Sequence, residues 1–366
     1  MFKKKKSKME LAQEKAEQAI EKTNERIGAL GEETGELYEV LNDIQSQFDA
    51  IRNIPVEKQI EYKKLKEIRL NWKQQAEKIE KDYKNANAKN MGAGAAGVGA
   101  GVAVAALGPT AAMGIATTFG VASTGTAIST LSGAAATNAA LAWLGGGALA
   151  AGGGGMAAGE AFLALAGPVG WAIAGVALVG SGILFFKGKN DKKRLEDIFT
   201  CISERDVKSY ELAIVEINER ISRIIDENQK LRDALENVKS FGLDYTKMSE
   251  EQQYELGACV NLMNASTQLL VNPILGLQPK YTMQDYERYI NTVEAKPDTK
   301  TQEVEVSLAN LLYKIDMDEK DQKLLCKSLK KNKKFLESID FKKKEFDLEI
   351  IKTVDKALNF KYAEMQ

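Results

Sequence analysis

The stretch YELAIVEINERISRIIDENQKLRDALENV, residues 210–238, decides the fold. Its apolar residues Tyr210, Ile214, Ile217, Ile221, Ile224, Leu231, Leu235 and Val238 recur at steps of 4, 3, 4, 3, 7, 4 and 3. Asn228 fills the slot that the step of 7 leaves open. That is an a/d heptad seam, and one polar residue in such a seam commonly sets register and partner number. Read as one helix, residues 195–240 would reach ~70 Å at 1.5 Å per residue.

A second seam lies upstream. Ile27, Leu30, Leu37, Leu41, Ile44, Phe48 and Ile51 step by 3, 7, 4, 3, 4 and 3, with Thr34 in the gap. Gly28, Gly31 and Gly35 weaken its first half, each costing up to ~1 kcal/mol against alanine. Pro55 breaks or kinks this arm. The pattern resumes at Leu65, Ile68, Trp72, Ala76, Ile79 and Tyr83.

Between the two seams the chemistry inverts. From Lys89 to Lys187 the chain runs 97 residues with one charged side chain, Glu160, and holds 23 of the 30 glycines. Gly108-Pro109 and Gly167-Pro168 are turn signals. With the glycine runs 145–147 and 152–155 they divide the block near 91–107, 110–131, 138–151 and 156–186. Ala166 to Phe186 is the best spanning candidate, 21 residues without a charge. A membrane helix needs about 20. The membrane-inserting residues read from it are Gly167, Pro168, Trp171, Leu178, Ile183, Leu184, Phe185 and Phe186. The earlier segments are mostly glycine and alanine, which gain little in lipid. Their small-xxx-small spacings suit close helix packing in a membrane or inside a bundle. Glu160 has two readings: a pore-lining or pH-sensing carboxyl, or a mark of an exposed loop between hairpins.

The expected fold is all-α: an elongated antiparallel coiled-coil or helical bundle with a central Gly/Ala-rich hydrophobic hairpin region. Four parts follow. Residues 1–89 are a basic tip and first arm, 90–186 the apolar region, 187–242 the second arm, and 243–366 a C-terminal helical segment. In the last part, Ser249 and Gln252 form a capping box signature ahead of an apolar helix stopped by Pro273. Helices are expected over 285–293, 303–330 and 332–362. The two arms are able to pair antiparallel within one chain, or to join copies of the chain through Leu37, Leu41, Ile44, Phe48, Ile214, Ile217, Ile221, Ile224, Asn228 and Leu231.

Composition narrows function. Lys+Arg is 50 against Asp+Glu 51, so the chain is no general nucleic-acid binder. Basic runs at 3–8, 187–194 and 327–334 suit an anionic membrane surface. No histidine is present, which removes Ser-His-Asp and Cys-His catalysis and most zinc sites. Cys201, Cys259 and Cys326 are too scattered for a disulfide framework and read as buried small side chains. Asp316, Asp318 and Asp321 lack the glycine and closing glutamate of a calcium loop. No enzyme, cofactor, metal or small-molecule substrate is expected. The charged helix after the basic start is unlike a Sec signal peptide, so a cytoplasmic or cytoplasmic-membrane location is expected. Lysines flank both ends of the apolar block, which puts both arms on the cytoplasmic side after insertion.

The layout of long amphipathic helices around one hydrophobic insert resembles α-helical pore-forming toxins of the cytolysin A and tripartite haemolysin type. More distantly it is similar to apolipoprotein L and colicin pore domains. The resemblance covers the whole chain as a layout and carries over no motif and no residue roles. The apolar block is longer and richer in glycine than a single toxin hairpin. The resemblance implies a helical bundle that releases its insert, oligomerises and perforates a bilayer. The alternative is a constitutive membrane-anchored scaffold whose arms recruit a protein partner.

Overall fold

The computed structural model describes residues 7–91, 109–119, 188–294, 296–331, 336 and 341–366. Among them the fold is all-α, with no strand. The helices are α1 (Lys8–Ala50), α2 (Val56–Met91), α3 (Pro109–Phe119), α4 (Lys189–Ser240), α5 (Glu250–Val271), α6 (Met283–Ile290), α7 (Thr299–Leu312), α8 (Glu319–Lys331) and α9 (Leu348–Glu364). Short 3-10 turns follow α4 and α5 at Tyr245–Lys247 and Leu275–Leu277.

Two hydrophobic cores result. The larger is shared by α1, α2, α3, α5 and most of α4. Each heptad seam leaves one apolar stripe, and those stripes close on each other. Pro55 forces a turn after α1, with Asn53 in the left-handed region at φ 61°. The chain then folds back: Tyr38 meets Trp72 and Phe48 meets Tyr62, each at 5.4 Å between ring centres. The capping box at Ser249 and Gln252 forms and opens α5. That helix runs back along α4, with Asn237 bonded to Glu255 at 2.6 Å and Ser266 to Glu227 at 3.0 Å.

The antiparallel neighbours are therefore the hairpins α1–α2 and α4–α5. The two arms that flank the apolar block, α1 and α4, run parallel instead. Their C-terminal ends are tied by Arg52 N–H to Leu243 O at 2.9 Å and Tyr245 N–H to Arg52 O at 3.0 Å. Glu36 pairs with Arg232 at 3.6 Å farther up. At the other end Met9 packs with the core that holds Leu195 and Ile198. The reason is topological. Two helical passes precede the apolar block, so the chain re-enters beside the start of α1.

The smaller core joins the first turns of α4 (Leu195, Ile198, Phe199, Ile202) to α6–α9. The single helix expected over 303–330 is broken into α7 and α8. Lys314 takes a left-handed φ of 56°. Arg205 Nη1 donates to Leu311 O at 2.9 Å and Tyr313 O at 2.7 Å, satisfying carbonyls at the end of α7. Asp318 then caps a new start by accepting from Asp321 N–H at 2.8 Å. Cys259 and Cys326 are buried as expected, but Cys201 is exposed.

Two carboxyl groups are buried near this junction. Asp206, 1% exposed, accepts from Arg205 Nε and Nη2 at 2.9 and 2.7 Å, with Tyr210 and Lys280 nearby. Burial pushes its pKa up to about 6 against the Arg205 charge. Glu305 accepts from the Tyr286 hydroxyl, with Asp298 as a neighbouring charge, and burial pushes it to about 7. Both pKa values lie above their unfolded values, so the folded state holds the extra protons. Their stabilising contribution is complete below about pH 4 and is lost as pH rises through about 6 and 7. Thermal melts between pH 5 and 8 check this. Stability in the wild-type chain minus that in Asp206→Asn should fall by about 1.4 kcal/mol over that range, which opens one pH unit below the folded pKa. A difference that stays constant or rises with pH contradicts the assignment.

Candidate functional site: the docked apolar segment

α3 is the part of the apolar block that the structure describes, and it is docked inside the larger core. It opens on Pro109, whose fixed φ suits a first helical position. Ala111, Ala112, Ile115, Ala116, Thr117 and Thr118 are all buried. Apart from Ile115 these are small side chains, so the fit depends on closeness of backbones.

Two glycines set that closeness. A Cβ on Gly31 would fall 1.7 Å from Thr110 O and 3.0 Å from Gly114 N. A Cβ on Gly114 would fall 2.1 Å from Ile27 O. Main chain meets main chain on both sides, and no larger residue fits at either position. The neighbouring Gly28 has no atom within 4 Å of an added Cβ. Only some glycines of α1 are there for α3.

Polar bonds hold the far end. Trp72 Nε1–H donates to Thr117 Oγ1 at 3.2 Å. Ile274 N–H donates to Thr118 O at 2.7 Å, and Gln278 Nε2 to the same oxygen at 3.3 Å. The turn after α5 thus satisfies a terminal carbonyl of α3 that would otherwise be an orphan.

An uncommon group sits on α2 one turn from Trp72. Arg69 is 1% exposed. Its Nη1 donates to Thr267 Oγ1 at 3.2 Å and its Nη2 to Gln45 Oε1 at 2.8 Å, while Nε has no hydrogen-bond partner. Both described partners are neutral. Burial lowers the guanidinium pKa to about 10, so it stays charged near neutral pH. A buried cation costs several kcal/mol, offset in part here by the nearby Asp49 charge. The larger core therefore carries a buried charge between α1, α2 and α5.

The seam residues are placed as follows. Leu37, Leu41, Ile44 and Phe48 of α1 and Ile217, Ile224, Asn228 and Leu231 of α4 are buried; Ile214 and Ile221 are half-buried. At the first of these Ala213 takes the inner position. The turn Leu275–Leu277 presses on it, and a Cβ on Gly276 would fall 2.9 Å from Ala213 N. Asn228 Oδ1 has no hydrogen-bond partner. Glu160 and Gly167, Pro168, Trp171, Leu178, Ile183, Leu184, Phe185 and Phe186 lie outside the described residues. Among the described residues no helix is long and apolar enough to cross a membrane, and no cluster of His, Cys, Asp or Glu is gathered to hold a metal.

Sequence reasoning missed three of these features. Gly31 and Gly35 form a small-xxx-small pair, and that spacing was a signal for a close helix crossing. Arg69 interrupts an apolar stripe beside Ile68, another visible cue. The partner of Gly31, Gly114, had no cue of its own among so many glycines. No known protein family, curated protein or solved structure matches the chain.

The crossing gives a sharp prediction. Trp72 reports on it in a Trp143→Phe, Trp171→Phe background. Gly31→Ala should destabilise by about 1–3 kcal/mol or more and shift Trp72 emission to the red. Gly28→Ala should leave emission unchanged and stabilise by up to ~1 kcal/mol. Equal behaviour of the two variants contradicts the close approach.

Proposed function

We propose that this chain is a conditional membrane-perturbing effector that keeps part of its apolar segment docked and releases it to enter a bilayer. The observation that carries this reading is α3. A helix from the apolar block is held in a water-facing bundle by a glycine crossing and a few hydrogen bonds. Among its described side chains only Ile115 and Met113 bring large apolar surface to that hold. A dock of that kind has a low cost of release, because small side chains forfeit little buried area on leaving.

The rest of the layout fits the same reading. Helices α2 and α4 adjoin the two ends of the block, and both pack in the larger core. The seams of α1 and α4 are already filled within the chain. Oligomerisation on the membrane would therefore use surfaces freed when α3 leaves.

Dye release from anionic liposomes tests the proposal, with two variants of opposite sign. Gly31→Ala undocks α3 and should speed release several-fold. Arg69→Met removes the buried charge, stabilises the closed bundle as such replacements often do by 1–4 kcal/mol, and should slow release. A chain that never empties liposomes, even as Gly31→Ala, refutes the effector reading. If that chain also resists carbonate extraction from membranes, the constitutive anchor is the better account, with Ala166–Phe186 as its span.

A further inference from the structure

The outward stripe of α8 is lysine. Lys320, Lys323, Lys327 and Lys331 are exposed at steps of 3, 4 and 4, with half-exposed Lys330 beside them. The opposite stripe, including Leu324, Leu325 and Leu329, is buried in the smaller core. Glu319, in the first turn, pairs with Lys323 at 3.3 Å. The helix thus stands on the core with one charged face outward.

That face is clamped to the point where the chain leaves the apolar block. Arg194 of α4 binds Asp321 at 2.6 Å and also pairs with Asp318. Lys320 meets Asp191 at 3.2 Å. These bridges pair Asp191, Asp318 and Asp321, and Lys189, Lys192 and Lys193 are exposed on the same turns of α4. At the other end, the exposed Lys342, Lys343 and Lys344 precede Asp347, which lies close enough to Cys326 to act on its thiol. Only Lys187 and Gly188 separate Lys189 from the 21-residue charge-free run ending at Phe186.

We propose that the lysine face of α8, with Lys189, Lys192 and Lys193 of α4, is a docking surface for an anionic lipid bilayer. This deepens the reading above and rests on it for the membrane itself. The chemistry favours lipid over nucleic acid. Lysines are flexible point charges, suited to a diffuse anionic plane more than to the bidentate recognition that arginine provides. The exposed stripe carries no aromatic side chain on which a base could stack.

Sedimentation of the full chain with phosphatidylserine-rich vesicles, against pure phosphatidylcholine vesicles, tests it. The wild-type chain should bind the first only, and binding should weaken with salt. Lys323→Gln, Lys327→Gln, Lys331→Gln together should weaken binding about 100-fold. The same three positions changed to Arg should retain it. The exposed bundle lysines Lys64, Lys78 and Lys81 changed to Gln should alter it less than about three-fold. Undiminished binding by the α8 glutamine variant overturns the proposal, as does loss of binding in the arginine variant. Tighter retention on duplex DNA than on the anionic vesicles overturns it too. Dye release separates the two readings. Leakage with lysine-independent docking leaves the α3 reading standing and removes this one. Lysine-dependent docking without leakage does the reverse.

Discussion

Everything distinctive in this fold depends on the backbone-to-backbone crossing of α1 and α3 at Gly31 and Gly114. The crossing brings a segment of the apolar block into a core otherwise built from long amphipathic helices. Without it, Ala111, Ala112 and Ala116 would have no close surface to bury against. Trp72 and the turn after α5 would lose their partners Thr117 and Thr118. Glycine carries a helical cost of about 1 kcal/mol at each such position, and the chain accepts that cost inside its own heptad seam. A seam meant only to hold α1 against α4 would not need glycine at position 31.

The larger core is accordingly a compromise. Heptad residues such as Leu37, Ile44, Ile224 and Leu231 provide the durable packing. The smaller core stands apart from it. Of α4 it takes in only the first turns. Asp206 and Glu305 keep this joint tighter at mildly acid pH, since each is held protonated by burial.

The helical class, the break at Pro55 and the capping box at Ser249 were legible because each is local, as were the burial of Leu37, Leu41, Ile44 and Phe48 on α1 and of Ile217, Ile224 and Leu231 on α4. Periodicity and caps are written in neighbouring residues. What was not legible is what depends on contact across the chain. The parallel course of α1 and α4 follows from where the chain returns after the apolar block. Ala213 displaces Ile214 from the inner position because a distant turn, at Gly276, presses there. The split of 303–330 depends on Arg205 reaching over from α4. Gly31 read as a helix weakness, and its purpose appeared only with Gly114 beside it. The membrane-inserting residues from Gly167 to Phe186 were read from composition alone, and they lie outside the described residues.

The central claim is that α3 leaves its dock as the bilayer is breached. It is tested most directly by following Trp72 emission and dye leakage together, in a chain whose other two tryptophans are phenylalanine, after mixing with anionic vesicles. The account predicts that the red shift of Trp72 precedes or accompanies leakage. Leakage that runs to completion while Trp72 emission stays unchanged would contradict it.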